Sequence, residues 1–207
     1  IPFVNTFTVF LTTLGLISAR AQVCYGNLNV KFGGAYCGMS DALDGATHHA
    51  TEDIAVMRAL PNMTVLVPSD ATSTRWATKY AVDTYGPMYL RLSRDVYPDL
   101  YDENTKFECG KGAIVRDGTD VTVIACGILV HKALEAAEQM AARGVSVRVV
   151  DMYSIKPIDR ELILRCAQET GAIVTAEEHN IYGGLGSAVA EVLAWGGTCL
   201  LYTSDAA

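Results

Sequence analysis

The sequence predicts an α/β protein with two consecutive domains, each a mostly parallel sheet covered by helices on both faces. Two observations carry this prediction. Apolar, β-branched runs of strand length alternate with helical segments of 10–15 residues, a pattern typical of parallel sheets buried on both sides. The alternation stops once, at the charged, tyrosine-rich stretch 94–112, and then resumes. We therefore predict domains over 1–95 and 109–207, joined by a linker over 96–108.

The first half begins with the apolar strand 1–4 and a helix over 6–24 that Thr6 could cap. Because that helix is apolar on most faces, we expect it to be buried. A helix over 52–60 stops before Pro61, and Asp70 is placed to cap the helix after it. The remaining predicted elements are strands over 28–36, 63–70 and 87–93 and a helix over 71–86.

In the second half, Asp159 can cap one helix at its start, and Gly144 and Gly171 can end two helices. The predicted strands cover 120–127, 145–152 and 172–178, and the predicted helices cover 130–144, 159–171 and 186–197. A strand-like run over 198–202 then stops without a partner element. We expect the fold to be truncated at both ends.

Composition excludes several classes of protein. Hydrophobic residues make up 50% of the 207 positions and charged residues 19%, which supports packed cores and argues against disorder. A net charge of −7 with scattered basic residues argues against a nucleic-acid partner. The apolar N-terminal run lacks a basic flank and is broken by threonines, so it indicates neither a signal peptide nor a membrane span.

Cysteine usage predicts a cytoplasmic protein. Six cysteines are present, and no pair has the C-x-x-C spacing of a zinc knuckle or a thioredoxin motif. Cys126 lies in an apolar strand-like run, which is typical of a reduced, buried cysteine.

The stretch "GGAYCGMSDALDGATHH" follows the strand at 28–34, where ligands bind in open α/β sheets. His48 and His49 are adjacent and would diverge by about 100° on a helix, and no spaced residues complete a metal site. We predict no metal ligands here. Two interpretations stay open: Thr47 or one histidine caps the next helix, or Asp44 and His48 face a cleft and bind a polyhydroxylated substrate.

A second glycine-rich stretch, "IYGGLGS" at 181–187, joins a predicted strand to a predicted helix. It lacks the Gly-Lys-Ser/Thr ending of a phosphate-binding P-loop. Close packing of the helix against the strand is the favoured reason for these glycines.

Four longer segments resemble the transketolase family of thiamine-diphosphate enzymes. "DGATHHATEDIAVMRALPNMTVLVPSD" (44–70) resembles the signature of its pyrimidine-binding domain, and "YGPMYLRLSRD" (85–95) resembles the closing strand of that domain. "VRVVDMYSIKPID" (147–159) and "IVTAEEHNIYGGLGSAVAEVL" (173–193) resemble the C-terminal domain. The resemblance runs in the family's order along almost the whole chain, and it is greatest to the C-terminal subunits of split transketolases.

The resemblance implies roles for individual residues. Phe10 matches the aromatic residue that stacks on the cofactor's aminopyrimidine ring. Asp44 matches the carboxylate that binds a donor sugar hydroxyl, and His48 the histidine that binds substrate oxygens and relays protons. Arg94 matches the arginine that binds the sugar phosphate.

Three positions depart from the family pattern. Tyr36, in the predicted substrate pocket, stands where transketolases carry histidine and a related synthase branch carries arginine. His49, also assigned to the substrate pocket, replaces a glutamine. Thr13 replaces a second aromatic residue. These departures leave the phosphate contact and the acceptor sugar open.

The implied activity is transfer of a two-carbon ketol unit from a ketose phosphate to an aldose phosphate. The implied cofactor is thiamine diphosphate, with Mg²⁺ or Ca²⁺ held by an N-terminal diphosphate-binding subunit or domain, in a homodimer or heterotetramer. The family's catalytic glutamate is expected upstream of Ile1. We therefore expect the 207-residue chain alone to be inactive and to bind the cofactor weakly.

Three alternatives remain open at this point. The chain could be similar in activity to 1-deoxy-D-xylulose-5-phosphate synthase. It could be a β subunit of a 2-oxo-acid dehydrogenase. It could also be a non-catalytic paralogue that pairs with a complete enzyme.

Overall fold

The computed structural model describes residues 1–40, 42–197 and 202–203 and contains two five-stranded sheets. The first sheet contains β1 (Phe3–Phe7), β2 (Lys31–Ala35), β3 (Thr64–Leu66), β4 (Met88–Leu92) and β8 (Ser154–Lys156). Its spatial order is β1-β2-β4-β3-β8, and every pair except the antiparallel pair β3–β8 is parallel. One strand of the second half therefore completes the sheet of the first half.

The second sheet contains β5 (Ala113–Arg116), β6 (Val121–Ala125), β7 (Val147–Asp151), β9 (Ile173–Ala176) and β10 (Tyr202–Thr203). Its order is β10-β9-β6-β7-β5, and only the edge strand β5 runs antiparallel to its neighbour. The two sheets confirm the predicted α/β fold class with mostly parallel strands. The strand-like run predicted over 198–202 lies outside the described residues, except for Tyr202 in β10.

The helices are α1 (Thr8–Thr12), α2 (Leu16–Ser18), a π-helical turn (Ala19–Cys24), α3 (Asp53–Ala59), α4 (Ala71–Asp83), α5 (Leu129–Ala141), α6 (Arg160–Thr170) and α7 (Leu185–Trp195). Two predicted N-caps are confirmed. Asp70 Oδ1 accepts a hydrogen bond of 2.7 Å from the Ser73 amide, and Asp159 Oδ1 accepts one of 3.0 Å from the Leu162 amide. Gly171 ends α6 in the left-handed region, with φ +68°.

The prediction of one buried helix over 6–24 is wrong. Thr6 lies in β1, and α1 starts after Phe7 without a side-chain cap. Helix α1 ends at Thr12, and α2 and the π-helical turn follow from Leu16. Leu14 and Ile17 are 82% and 80% exposed, although buried residues line the other side of α1. The threonines explain the interruption, because the Thr13 hydroxyl donates to the Val9 carbonyl oxygen and competes with helix continuation.

Both faces of the inner strands are covered, as the alternation of their residues shows, whereas the edge strand β1 is exposed from Phe3 to Thr6. In β3, Val65 belongs to the large apolar core between the sheets, whereas Leu66 packs with α4. In β7, Val150 faces the same large core, whereas Val149 packs with α5. Successive strand side chains point to opposite faces, so α4 and α5 cover the outer faces. Residues of α1, α3, α6 and α7 share the core between the sheets.

The segment 93–112 contains no helix or strand, and it is fixed by side chains of both halves. Asp70 Oδ2 accepts hydrogen bonds of 2.9 Å from the amides of Leu100 and Tyr101. The Tyr101 hydroxyl donates to Asp151 Oδ2 at 2.8 Å. Asp70 therefore caps α4 and also anchors the connection. The boundaries predicted at 1–95, 96–108 and 109–207 remain predictions.

Five cysteines, at 24, 37, 109, 126 and 166, are free thiols, and Cys199 lies outside the described residues. Burial raises the pKa of the Cys126 thiol well above its ordinary value. Within the described part of the chain, every helix is too short or too polar to cross a membrane.

Candidate active site

The candidate site lies at the carboxyl edge of the first sheet. Phe7, Ala35 and Leu92 pair in register at the ends of β1, β2 and β4. The chain continues from these ends into Phe10 on α1, into Tyr36 and into Arg94. Parallel strands thus bring three residues that are far apart in the sequence to one edge, where open α/β sheets bind ligands.

Four rings form a cluster at this edge. The Phe7 ring centroid lies 4.9 Å from that of Tyr36, 5.4 Å from that of His48 and 5.9 Å from that of Phe10. The rings of His48 and Phe10 are 5.3 Å apart, and all four contacts are edge-to-face. Phe10 remains 38% exposed. The sequence-predicted Phe10, His48 and Tyr36 therefore share one aromatic surface that a planar ligand can reach.

Asp44 and Arg94 lie beside this cluster. Arg94 Nη1 is 3.8 Å from Asp44 Oδ2, and the two side chains are 34% and 42% exposed. The Arg94 guanidinium carbon lies 5.3 Å from the Tyr36 ring centroid, within the range of a cation–π contact. Tyr36 therefore lies between the Arg94 guanidinium and the Phe7 ring.

A tight turn presents His48 to the cluster. Gly45 has φ +77°, a conformation that favours glycine, and its carbonyl oxygen accepts from the His48 amide at 3.0 Å. The Thr47 hydroxyl lies 3.0 Å from His48 Nδ1. Because this contact involves Nδ1, the other ring nitrogen of His48, Nε2, is the atom that can face a substrate. His49, the next residue, is half-buried.

The capping interpretation of this stretch is wrong. Helix α3 begins at Asp53 with Glu52 as its N-cap, and no side chain donates or accepts a capping bond there. The other interpretation, in which Asp44 and His48 bind a substrate, remains a prediction. Among the described residues, no group of three or more His, Cys, Asp or Glu side chains is arranged to hold a metal ion.

A buried ion pair beneath the site was not predicted from the sequence. Asp53 is fully buried, and Arg91 is 2% exposed. Asp53 accepts hydrogen bonds from Arg91 Nε at 2.7 Å, from Arg91 Nη2 at 3.0 Å and from the Tyr89 hydroxyl at 2.7 Å. Burial acts to lower the pKa of Arg91, whereas the Asp53 carboxylate acts to raise it. The net effect is a raised pKa. The signal in the sequence was an arginine inside the apolar strand "YLRL".

Close packing explains two of the glycines of 181–187, but Gly183 packs against α3 and not, as was predicted, against the strand before it. A Cβ atom on Gly183 would lie 2.6 Å from Ala55 Cβ, and one on Gly184 would lie 2.3 Å from Glu177 Oε2. Glu177 in turn accepts hydrogen bonds from the amides of Leu185 and Gly186, at 2.6 and 2.8 Å. A carboxylate of the chain itself thus occupies the N-terminus of α7, the end of a helix that favours anions.

Two protein-domain families match nearly the whole chain. Residues 1–99 match the transketolase pyrimidine-binding domain, and residues 110–203 match the transketolase C-terminal domain. The chain therefore belongs to the transketolase family. Membership of this family implies thiamine diphosphate as the cofactor.

Similar proteins include subunits of transketolases. The chain is 42% identical over 193 residues to the 6-deoxy-6-sulfo-D-fructose transketolase subunit of Clostridium sp. (strain MSTE9), covering 93% of this chain and 60% of that protein. It is also 42% identical over 185 residues to one subunit of the apulose-4-phosphate transketolase of Phocaeicola vulgatus, covering 89% of this chain and 59% of that protein.

Among solved structures, a split-gene transketolase described as an inactive β4 tetramer superposes with a TM-score of 0.91. The two sequences are 47% identical, and the match covers 98% of this chain and 66% of that one. The chain thus spans about 60% of the length of the curated relatives it matches.

Proposed function

We propose that this chain supplies the pyrimidine-binding half of a transketolase active site. The reaction is transfer of a two-carbon ketol unit from a ketose phosphate to an aldose phosphate. The observation that carries the proposal is the common surface at the carboxyl edge of the first sheet. There the rings of Phe10 and His48 lie 5.3 Å apart. Arg94 lies 3.8 Å from Asp44 and packs over the Tyr36 ring.

The residues present fit the pyrimidine end of thiamine diphosphate. Phe10 offers a ring that is 38% exposed, with the edges of Phe7 and His48 against it. An exposed aromatic face bordered by other rings suits stacking on a planar heteroaromatic group and keeps water away from it. Thiamine diphosphate, when bound, supplies the electron sink that lets a carbon–carbon bond break and form.

The polar residues of the cluster would bind and orient the sugar. Asp44 accepts a hydrogen bond from a sugar hydroxyl, and His48 Nε2 exchanges a proton with a second hydroxyl. Arg94 binds the phosphate with its guanidinium fork. Tyr36 and His49 line the substrate pocket.

The remaining parts of the site belong to a partner. An N-terminal subunit or domain would hold the diphosphate through Mg²⁺ or Ca²⁺, and the assembly would be a homodimer or a heterotetramer. Support comes from the relatives, which are subunits of transketolases, and from the similar structure described as a split-gene transketolase.

Reconstitution tests the proposal. The chain is mixed with an N-terminal transketolase subunit, thiamine diphosphate and Mg²⁺, and the transfer rate from a ketose phosphate is measured. We expect activity from the mixture and none from the chain alone. His48→Ala should lower kcat/KM by about 10²–10⁴-fold, the usual contribution of a positioned proton-transfer group. The control is His131→Gln, a histidine on α5 in the second half of the chain.

Two results would contradict the proposal. One is full activity of the reconstituted His48→Ala variant. The other is micromolar binding of thiamine diphosphate by the isolated chain in isothermal titration, since the diphosphate would then not need a partner.

A further inference from the structure

We propose that Glu178, in the second half of the chain, is a positioning residue for the loop that carries Tyr36 and Asp44. The second half thereby forms the floor of the candidate site. This inference deepens the proposed function. The expected effect on KM rests on that function, whereas the expected effect on hydrogen exchange does not.

Three consecutive amides fix the start of the loop, and each bonds to a different segment. The Cys37 amide donates to the Leu92 carbonyl oxygen at 3.2 Å, and the Gly38 amide donates to the Ala50 carbonyl oxygen at 2.9 Å. The Met39 amide donates to Glu178 Oε1 at 2.6 Å. The first bond ties the loop to β4 and the second ties it to the segment after His48. Only the third comes from the second half of the chain.

Glu178 is itself held firmly. Its residue is 6% exposed, and its carbonyl oxygen accepts a hydrogen bond of 2.7 Å from Arg91 Nη2. Arg91 is fixed in turn by the buried Asp53 carboxylate. Burial raises the pKa of Glu178, and Arg91 and the Met39 amide oppose that rise. The backbone of Glu178 is therefore anchored by Arg91, and Oε1 contacts the loop from that fixed position.

The neighbours of Glu178 make the same connection to the segment after His48. The Asn180 amide donates to the Thr51 carbonyl oxygen at 2.8 Å. His179 Nε2 accepts from the Ala55 amide at 3.3 Å, while its Nδ1 donates to the Asn180 carbonyl oxygen at 2.7 Å. The strip 178–180 thus supports both the Tyr36 loop and the stretch from His48 to α3.

Gly38 shows how tightly the carboxylate fits. It has φ +69°, and a Cβ atom there would lie 2.3 Å from the Glu178 side-chain carboxyl carbon. A side chain at this position would push the carboxylate away from the Met39 amide. Gly38→Ala is therefore a second, independent way to break the contact.

Glu177 provides a matched control. It is adjacent in sequence and equally buried, at 5% exposure, but its carboxylate bonds the amides at the start of α7 rather than the loop. A generic loss of a buried carboxylate should affect both variants alike. A positioning role should separate them.

The first experiment is hydrogen–deuterium exchange on the 207-residue chain, measured for wild type, Glu178→Ala, Glu178→Gln and Glu177→Ala. We expect Glu178→Ala to speed exchange of the peptide that contains Met39 by about tenfold, the effect of losing one hydrogen bond to a charged group. Glu178→Gln keeps a carbonyl acceptor and should restore slow exchange. Glu177→Ala should change only the start of α7.

The second experiment uses the assembly reconstituted with the N-terminal subunit. Glu178→Ala should raise KM for the sugar phosphate by about tenfold, while the affinity for thiamine diphosphate stays as in wild type because Phe10 lies on α1. Glu178→Gln should recover most of the affinity for the sugar.

The outcomes separate the two proposals. Slow exchange at Met39 in Glu178→Ala would overturn the positioning role. If that variant does not fold, Gly38→Ala takes its place, and slow exchange there would be equally decisive. If exchange responds as expected but the wild-type assembly transfers no ketol unit, the loop contact stands and the proposed transketolase function fails.

Discussion

Removing the carboxylate of Asp53 should be among the most destabilising single changes in this chain. Asp53 is fully buried and accepts three hydrogen bonds, two from Arg91 and one from the Tyr89 hydroxyl. In Asp53→Ala the Arg91 guanidinium, at 2% exposure, keeps its charge but loses its counter-ion. A buried charge without its partner costs about 3–5 kcal/mol.

That cost is a large share of the total, because folded domains are stable by only about 5–15 kcal/mol. With a urea dependence of about 2 kcal/mol per molar, Asp53→Ala should lower the unfolding midpoint by roughly 2 M. Replacing both partners by apolar residues, Asp53→Leu with Arg91→Met, should cost less than Asp53→Ala alone, since no unpaired charge remains.

Urea unfolding followed by tryptophan fluorescence and far-ultraviolet circular dichroism measures these midpoints. The matched control is Asp83→Ala, which removes the exposed i,i+4 partner of Lys79 and should leave the midpoint within error. A midpoint for Asp53→Ala equal to that of Asp83→Ala would refute the reasoning. So would a double variant less stable than Asp53→Ala.

Three further predictions concern pH, packing and phosphate binding. Burial raises the pKa of Asp151 to about 7, so the folded state favours the proton, and stability is lost as pH rises from about 4 through 7. Asp151→Asn should remove that slope, seen as urea midpoints compared at pH 5 and 8; an unchanged slope would exclude Asp151 as its source. Gly184→Ala should destabilise by about 1–3 kcal/mol, because its methyl group would displace the Glu177 carboxylate. Gly26→Ala meets only ordinary contacts and serves as its control; equal melting temperatures would contradict this packing argument. Arg94→Lys should raise KM for a phosphorylated sugar about tenfold, with little change for an unphosphorylated one; equal effects on both sugars would argue against a phosphate contact.

The predictions that succeeded depend on local chemistry. A side chain such as Asp70 or Asp159 bonds an amide three residues ahead, so its capping role can be read within one turn. Helix α3 ends before Pro61 for the same kind of reason. Strand and helix periods likewise depend on neighbours in sequence, which is why the alternation of elements identified the fold class.

The elements that the sequence analysis got wrong or missed have several causes. An apolar run over 6–24 is compatible with a long helix, but threonine hydroxyls and the turn at Gly15 divide it. The antiparallel pairing of β8 with β3 joins residues about 90 positions apart, and no period within the sequence encodes it. Short strands such as β5, with four residues, give too few alternations to be recognised.

In the candidate site, too, some residues were identified from the sequence and one was missed. Phe10, Asp44, His48 and Arg94 were assigned through motifs that resemble a known family, and the structure places them at one edge of the sheet. Glu178 was missed, because its side chain meets the Met39 amide 139 positions away. A glutamate at the end of the predicted apolar strand 172–178 was the hint that the sequence offered.

The affinity of the reconstituted assembly for thiamine diphosphate is the measurement that tests the central claim most directly. Phe10→Ala and Phe3→Ala are compared by isothermal titration; both phenylalanines are 38% exposed, but Phe3 lies at the opposite end of β1. Loss of a stacking ring should weaken binding of the cofactor by about tenfold or more in Phe10→Ala, with Phe3→Ala like wild type. Wild-type affinity in Phe10→Ala, or an equal loss in both variants, would contradict the assignment of this surface to the pyrimidine ring.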